Sequence, residues 1–189
     1  MSISRDEAAE TLKSIELAQT RSFQAYGYKS AAPFLFIWGV VWMVGYTVSD
    51  LWPVLGGRVW PALLLIAFIA SAILGQRAGN DKSSEGRARN RRIGLRMTGT
   101  WVAIFVFIGA VMAVMRPSPM QATAFVPLLV AAAYTVLGLW MGFRFTIAGI
   151  AIGALTLGGF YYLPAHFLLW MAAVGGSTLI LTGLWLRRA

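Results

Sequence analysis

The sequence offers few side chains from which an enzyme or a metal centre could be built. It contains one histidine, His166, and no cysteine, so thiolate ligands, cysteine nucleophiles and disulfides are excluded. A metal at His166 would need carboxylates or waters to complete its coordination, and most carboxylates lie far away near the N-terminus. Ser71 and Thr156 lie in apolar runs without a neighbouring base. We therefore expect no catalytic residue, no metal and no cofactor, and interpret the protein as not an enzyme.

Aromatic residues provide the first candidate binding site. Trp38, Trp42 and Tyr46 are spaced by four residues, which places them on one face of a helix. Together with Tyr134 they could line a cavity for a flat or cationic ligand. The alternative interpretation is that they pack against neighbouring helices or lipid.

Glycines provide a second pattern, one of helix packing. Gly149 and Gly153 form a small-xxx-small motif, and Gly175 and Gly176 lie in the next apolar run. Small residues let helix backbones approach closely inside a membrane. We expect these glycines to join spans five and six, with dimerisation through the same face as the alternative.

The elements that carry these residues are predicted to be membrane helices. Hydrophobic residues make up 58% of the 189 residues and charged residues only 12%, about half the usual share in soluble domains. Crossing about 30 Å of hydrocarbon takes about 20 residues of helix. Six apolar runs meet that length, none with an Asp, Glu, Lys or Arg away from its ends. They are close to residues 32–51, 58–75, 98–115, 122–143, 145–163 and 166–186.

Two polar segments flank these runs and define the domain organisation. Residues 1–30 are predicted to form an amphipathic helix that Gly27 and the stretch before Pro33 break from the first span. Residues 31–189 are the six-span domain, interrupted by a basic loop at 76–97. The predicted fold is therefore an all-α six-transmembrane-helix bundle with an N-terminal amphipathic helix.

The distribution of basic residues predicts the orientation. Fourteen of the sixteen Lys and Arg residues fall on one side of a six-span arrangement, and only Arg58 and Arg116 fall on the other. The positive-inside rule places the richer side, with both termini and the basic loop, in the cytoplasm. We expect a multi-pass protein of the cell (inner) membrane.

The basic loop is the candidate docking site. Its central cluster is Arg87, Arg89, Arg91 and Arg92. Each basic residue near an anionic leaflet contributes on the order of 1 kcal/mol of attraction. The cluster has no interleaved aromatic residues, so nucleic acid is not an expected partner.

Two functions remain open from the sequence. The first is a non-enzymatic membrane subunit, scaffold or regulator that docks anionic lipid headgroups or a cytoplasmic protein, with a homo-oligomer as a further option. The alternative is a small-molecule transport component that uses the aromatic-lined cavity.

Overall fold

The computed structural model describes residues 5–78 and 84–188, and these form helices joined by short turns without any strand. The first five helices are α1 (Arg5–Leu51), α2 (Pro53–Ala78), α3 (Ser84–Met115), α4 (Pro119–Met141) and α5 (Phe143–Tyr162). The sixth span consists of a 3-10 turn (Pro164–His166), α6 (Phe167–Trp170), a π-helical turn (Met171–Gly175) and α7 (Gly176–Arg187). All six spans are long and apolar enough to cross a membrane. The all-α six-helix architecture is confirmed, and the protein is a multi-pass membrane protein.

Helix α1 is one continuous helix of 47 residues, which corrects the predicted break at Gly27 and Pro33. Pro33 cannot donate a hydrogen bond to the carbonyl of Lys29, one turn earlier. The helix nevertheless continues through both residues, so the loss of this one hydrogen bond does not end it. At 1.5 Å per residue α1 is about 70 Å long, more than twice the hydrocarbon thickness.

Helix α3 also extends further than predicted. It begins at Ser84, so residues 84–97 of the expected basic loop are helical, and only 79–83 lie outside the described residues. This is the second correction to the predicted organisation. Its 32 residues span about 48 Å, so its basic N-terminal part also continues beyond the apolar run.

The core of the bundle is built around the C-terminal half of α1. This half packs against α2 on one side and against the sixth span on the other, while α4 and α5 pair closely with each other. Leu35 of α1, Ile152 of α5 and Leu179 of α7 are almost completely buried. Burial thus joins the first and the last three spans into one core.

A polar clamp fixes the turn between α1 and α2. The Trp60 Nε1–H donates to Ser49 Oγ at 3.0 Å, and the Ser49 hydroxyl donates to the Gly45 carbonyl at 2.8 Å. A Cβ on Gly45 would lie 2.8 Å from the Trp60 ring, so glycine is what allows the indole to approach α1. This clamp positions the start of α2 immediately after α1.

The turn between α4 and α5 consists of a single residue, Gly142. Its φ of 117° is a conformation that side chains disfavour. The Tyr28 hydroxyl of α1 also lies where a Cβ on Gly142 would be. Since Arg144 of α5 donates to the Trp185 carbonyl of α7, the start of α5, the end of α7 and Tyr28 all lie at the same end of the bundle.

The glycine motifs lie at close helix–helix contacts, as predicted, but the helices that they contact differ from those expected. A Cβ on Gly149 would lie 2.6 Å from the Ala131 carbonyl of α4, and Gly153 faces the Ala131 side chain. Gly175 and Gly176 instead contact α1, through Trp42 and Met43 respectively. The expected joining of spans five and six through these four glycines is therefore wrong. Helix α4 packs on the glycine face of α5, and helix α1 packs on the glycine face of the sixth span.

Candidate docking surface

The N-terminal part of α1 extends beyond the rest of the bundle. Every side chain from Glu10 to Phe23 is exposed, and burial begins only near Gly27, which contacts Met141 at the end of α4. The α4–α5 turn therefore marks the level at which α1 leaves the bundle. Residues 10–23 are therefore exposed on all sides of the helix.

One face of this segment carries four large apolar side chains, with the exposed Gln19 between them. Leu12, Ile15, Phe23 and Tyr26 are 63, 46, 60 and 68% exposed. At 100° per residue all four lie within about 80° of one another around the helix axis. We call these four residues the apolar stripe. It runs about 21 Å along the helix.

The opposite half of the segment is largely polar. Glu10, Lys13 and Arg21 lie there, together with the exposed Leu17. The segment thus carries its large apolar side chains mainly on one side and its charged ones mainly on the other, and Phe23 and Tyr26 add to the apolar side. Their spacing from Leu12, at 11 and 14 residues, was the signal that could have identified them.

The basic cluster lies along the first turns of α3. Arg91 and Arg92 are exposed, while the side chains of Arg87 and Arg89 lie outside the described residues. In helical register, positions 87 and 91 share one side of α3, and positions 89 and 92 share another. Of the predicted cluster, the structure therefore describes two exposed arginines at neighbouring positions of α3.

The four aromatic residues of the predicted cavity all make packing contacts within the bundle. Trp42 and Tyr46 are buried in the core, with their rings edge to face and centroids 5.9 Å apart. Trp38 stacks on Trp101 of α3 at 6.1 Å, and Tyr134 packs against Phe145 of α5 at 6.0 Å. Their positions match the alternative interpretation, that of packing residues.

Two open surface pockets lie elsewhere. One is lined by residues between Leu51 and Arg58 at the α1–α2 turn, and the other lies between the end of α3 and the start of α4. Neither includes any of the four predicted cavity residues. His166 is exposed in the turn before α6, and the described residues contain no group of three His, Asp or Glu side chains that could hold a metal ion.

Comparison with known proteins adds no constraint on this surface: no family model, no curated protein and no solved structure matches the chain.

Proposed function

We propose that the protein is a non-enzymatic membrane subunit or scaffold that binds a cytoplasmic protein through the apolar stripe of α1. The observation that carries this proposal is that four large apolar side chains remain exposed on a segment that extends beyond the bundle. Surface this apolar outside a membrane usually marks an interaction site. An amphipathic helix of this kind fits the groove of a partner protein with its apolar face.

The distribution of charge supports a cytoplasmic location of the docking segment. The N-terminal segment of α1, the α4–α5 turn and the end of α7 share one end of the bundle. That end carries the basic residues Lys29, Arg144 and Arg187, which supports its placement in the cytoplasm of an inner membrane. The arginines of α3 would then contribute attraction to anionic lipid headgroups.

Reporter fusions test this orientation. Fusions that end at Arg92 or Arg188 are expected to report the cytoplasm, and fusions that end at Gly57 or Pro119 the opposite side. Activity of a cytoplasmic reporter at Gly57 would contradict the orientation, because it would place the α1–α2 turn on the same side as the docking segment.

Site-specific photocross-linking in cells tests the function itself. We expect p-benzoylphenylalanine at Ile15 or Tyr26 to give one discrete adduct with another protein, because these side chains face outward from the stripe. The same probe at Leu17, on the opposite side of the helix but 51% exposed, is the matched control and is expected to give no such adduct. Equal adducts at all three positions would contradict docking through the stripe. An adduct at twice the mass of the chain would show that the stripe binds a second copy of this protein instead of a different partner.

A further inference from the structure

The start of α5 holds a positive charge without a described counter-charge. The guanidinium of Arg144 lies between two aromatic rings, 5.4 Å from the ring centroid of Tyr28 and 5.1 Å from that of Trp185. One Nη1–H donates to the Trp185 carbonyl at 2.8 Å. The other four N–H groups of the guanidinium have no described acceptor, and no carboxylate in the described chain pairs with it. The two aromatic rings therefore orient the Arg144 guanidinium, and its remaining N–H donors are available to a ligand.

The backbone around Arg144 adds donors and the same sign of charge. The N-cap of α5 is Gly142, which supplies no side-chain acceptor, and Arg144 is the second residue of the helix. The amide N–H groups of Phe143 and Arg144 reach no described backbone acceptor. The positive end of a helix dipole disfavours a nearby cation and favours an anion. A bound anion would offset both effects.

Tyr28 provides an independent sign of a missing acceptor. Its side chain is only 4% exposed, and its hydroxyl has no hydrogen-bond partner among the described atoms. The hydroxyl lies against Gly142, at the N-terminus of α5. A buried hydroxyl without a partner is destabilising. The hydroxyl is enclosed against Gly142, so a small opening at this turn would let an acceptor oxygen complete its hydrogen bonding.

The surroundings identify the source of the acceptor. Trp140 and Phe143 flank the α4–α5 turn and are 80 and 64% exposed. Exposed aromatic side chains at the ends of membrane spans lie at the level of the lipid headgroups. The phosphate of a phospholipid is the anion present at this depth, and a planar guanidinium binds phosphate oxygens in pairs.

We propose that Arg144, Tyr28 and the first turn of α5 bind the phosphate group of an anionic phospholipid headgroup. This site is separate from the arginines of α3 and from the apolar stripe, so it does not depend on the proposed protein partner. Through Tyr28 it acts at the point where α1 leaves the bundle.

Binding of phosphatidylglycerol, followed by native mass spectrometry of the purified protein, tests the proposal. We expect Arg144→Gln to weaken retention of this lipid at least tenfold. Replacing Arg188, a basic residue three positions after Trp185, with Gln should weaken it less than twofold. Equal retention by wild type and Arg144→Gln would overturn the proposal.

A second variant separates lipid binding from folding, since Arg144 also contacts α7. Tyr28→Phe removes only the hydroxyl without a partner. We expect it to keep or raise the unfolding temperature in phosphatidylcholine nanodiscs while losing part of the stabilisation that phosphatidylglycerol gives to wild type. Unchanged stabilisation by phosphatidylglycerol would overturn the role of Tyr28. Inorganic phosphate could also stabilise wild type in phosphatidylcholine as strongly as phosphatidylglycerol does. That result would show that the site binds a free phosphate ion and would overturn its assignment to a lipid headgroup.

Discussion

Replacing Gly149 with alanine is expected to destabilise the bundle by about 1–3 kcal/mol, the usual cost of overpacking a closely packed site. The added Cβ would lie 2.6 Å from the Ala131 carbonyl and would also meet the backbone nitrogen of Thr135. Both contacts are with the backbone of α4, so no flexible side chain can move aside. The two helices must separate, which would expose apolar surface along the whole α4–α5 pair.

Gly153 provides the matched control one turn along the same helix. A Cβ there would lie 3.5 Å from the Ala131 side chain, which is ordinary van der Waals contact. Alanine also favours a helix by up to about 1 kcal/mol over glycine. Thermal unfolding in detergent should therefore show a lower midpoint for Gly149→Ala and an equal or higher one for Gly153→Ala. Equal effects of the two replacements would contradict the packing of α5 on α4.

The pairing of these helices illustrates what the sequence could not predict. The glycine spacing of α5 correctly indicated a face made for close packing. Which helix fills that face depends on the three-dimensional order of the spans, and the one-residue turn at Gly142 brings α4 against α5. The four predicted glycines therefore had the right role and, in the predicted pairing, the wrong partners.

The spans themselves were predictable because the membrane leaves little choice. An apolar run of about 20 residues must satisfy its backbone internally, so it forms a helix whatever its neighbours are. Local signals were less reliable at the ends of the runs. Gly27 and Pro33 would ordinarily end a helix, and the polar composition of residues 84–97 would ordinarily suggest a loop, yet both segments are helical.

The candidate site was predictable only in part. An amphipathic helix was predicted at the N-terminus, but Phe23 and Tyr26 were not named as part of it. Arg144 was counted only for its charge, since its contacts with Tyr28 and Trp185 join residues 116 and 41 positions away in the chain. Contacts at such separations have no local sequence signal.

The Ser118–Gln121 capping box at the start of α4 is a counter-example, because it is local and was not identified. The backbone N–H of Gln121 donates to Ser118 Oγ at 3.3 Å, and the backbone N–H of Ser118 donates to the side-chain Oε1 of Gln121 at 2.9 Å. Serine followed three residues later by glutamine, with Pro119 between them, is a known start signal for helices.

Presentation of the apolar stripe requires that α1 is a single rigid helix, which carries the stripe away from the bundle. A distance between spin labels at Arg21 and Leu51 tests it directly. The chain has no cysteine, so the double variant Arg21→Cys, Leu51→Cys can be labelled without removing any other thiol. Both native side chains are exposed, so the labels should not disturb the core.

A continuous helix places these two positions about 45 Å apart, since 30 residues rise 1.5 Å each. An α1 bent through a right angle at Pro33, with its N-terminal segment lying along the membrane surface, would bring them to about 32 Å. We expect the longer distance in nanodiscs from pulsed electron paramagnetic resonance, and the same distance in a Pro33→Ala background. A distribution centred near the shorter value, which Pro33→Ala lengthens, would contradict the rigid helix and with it the proposed presentation of the docking surface.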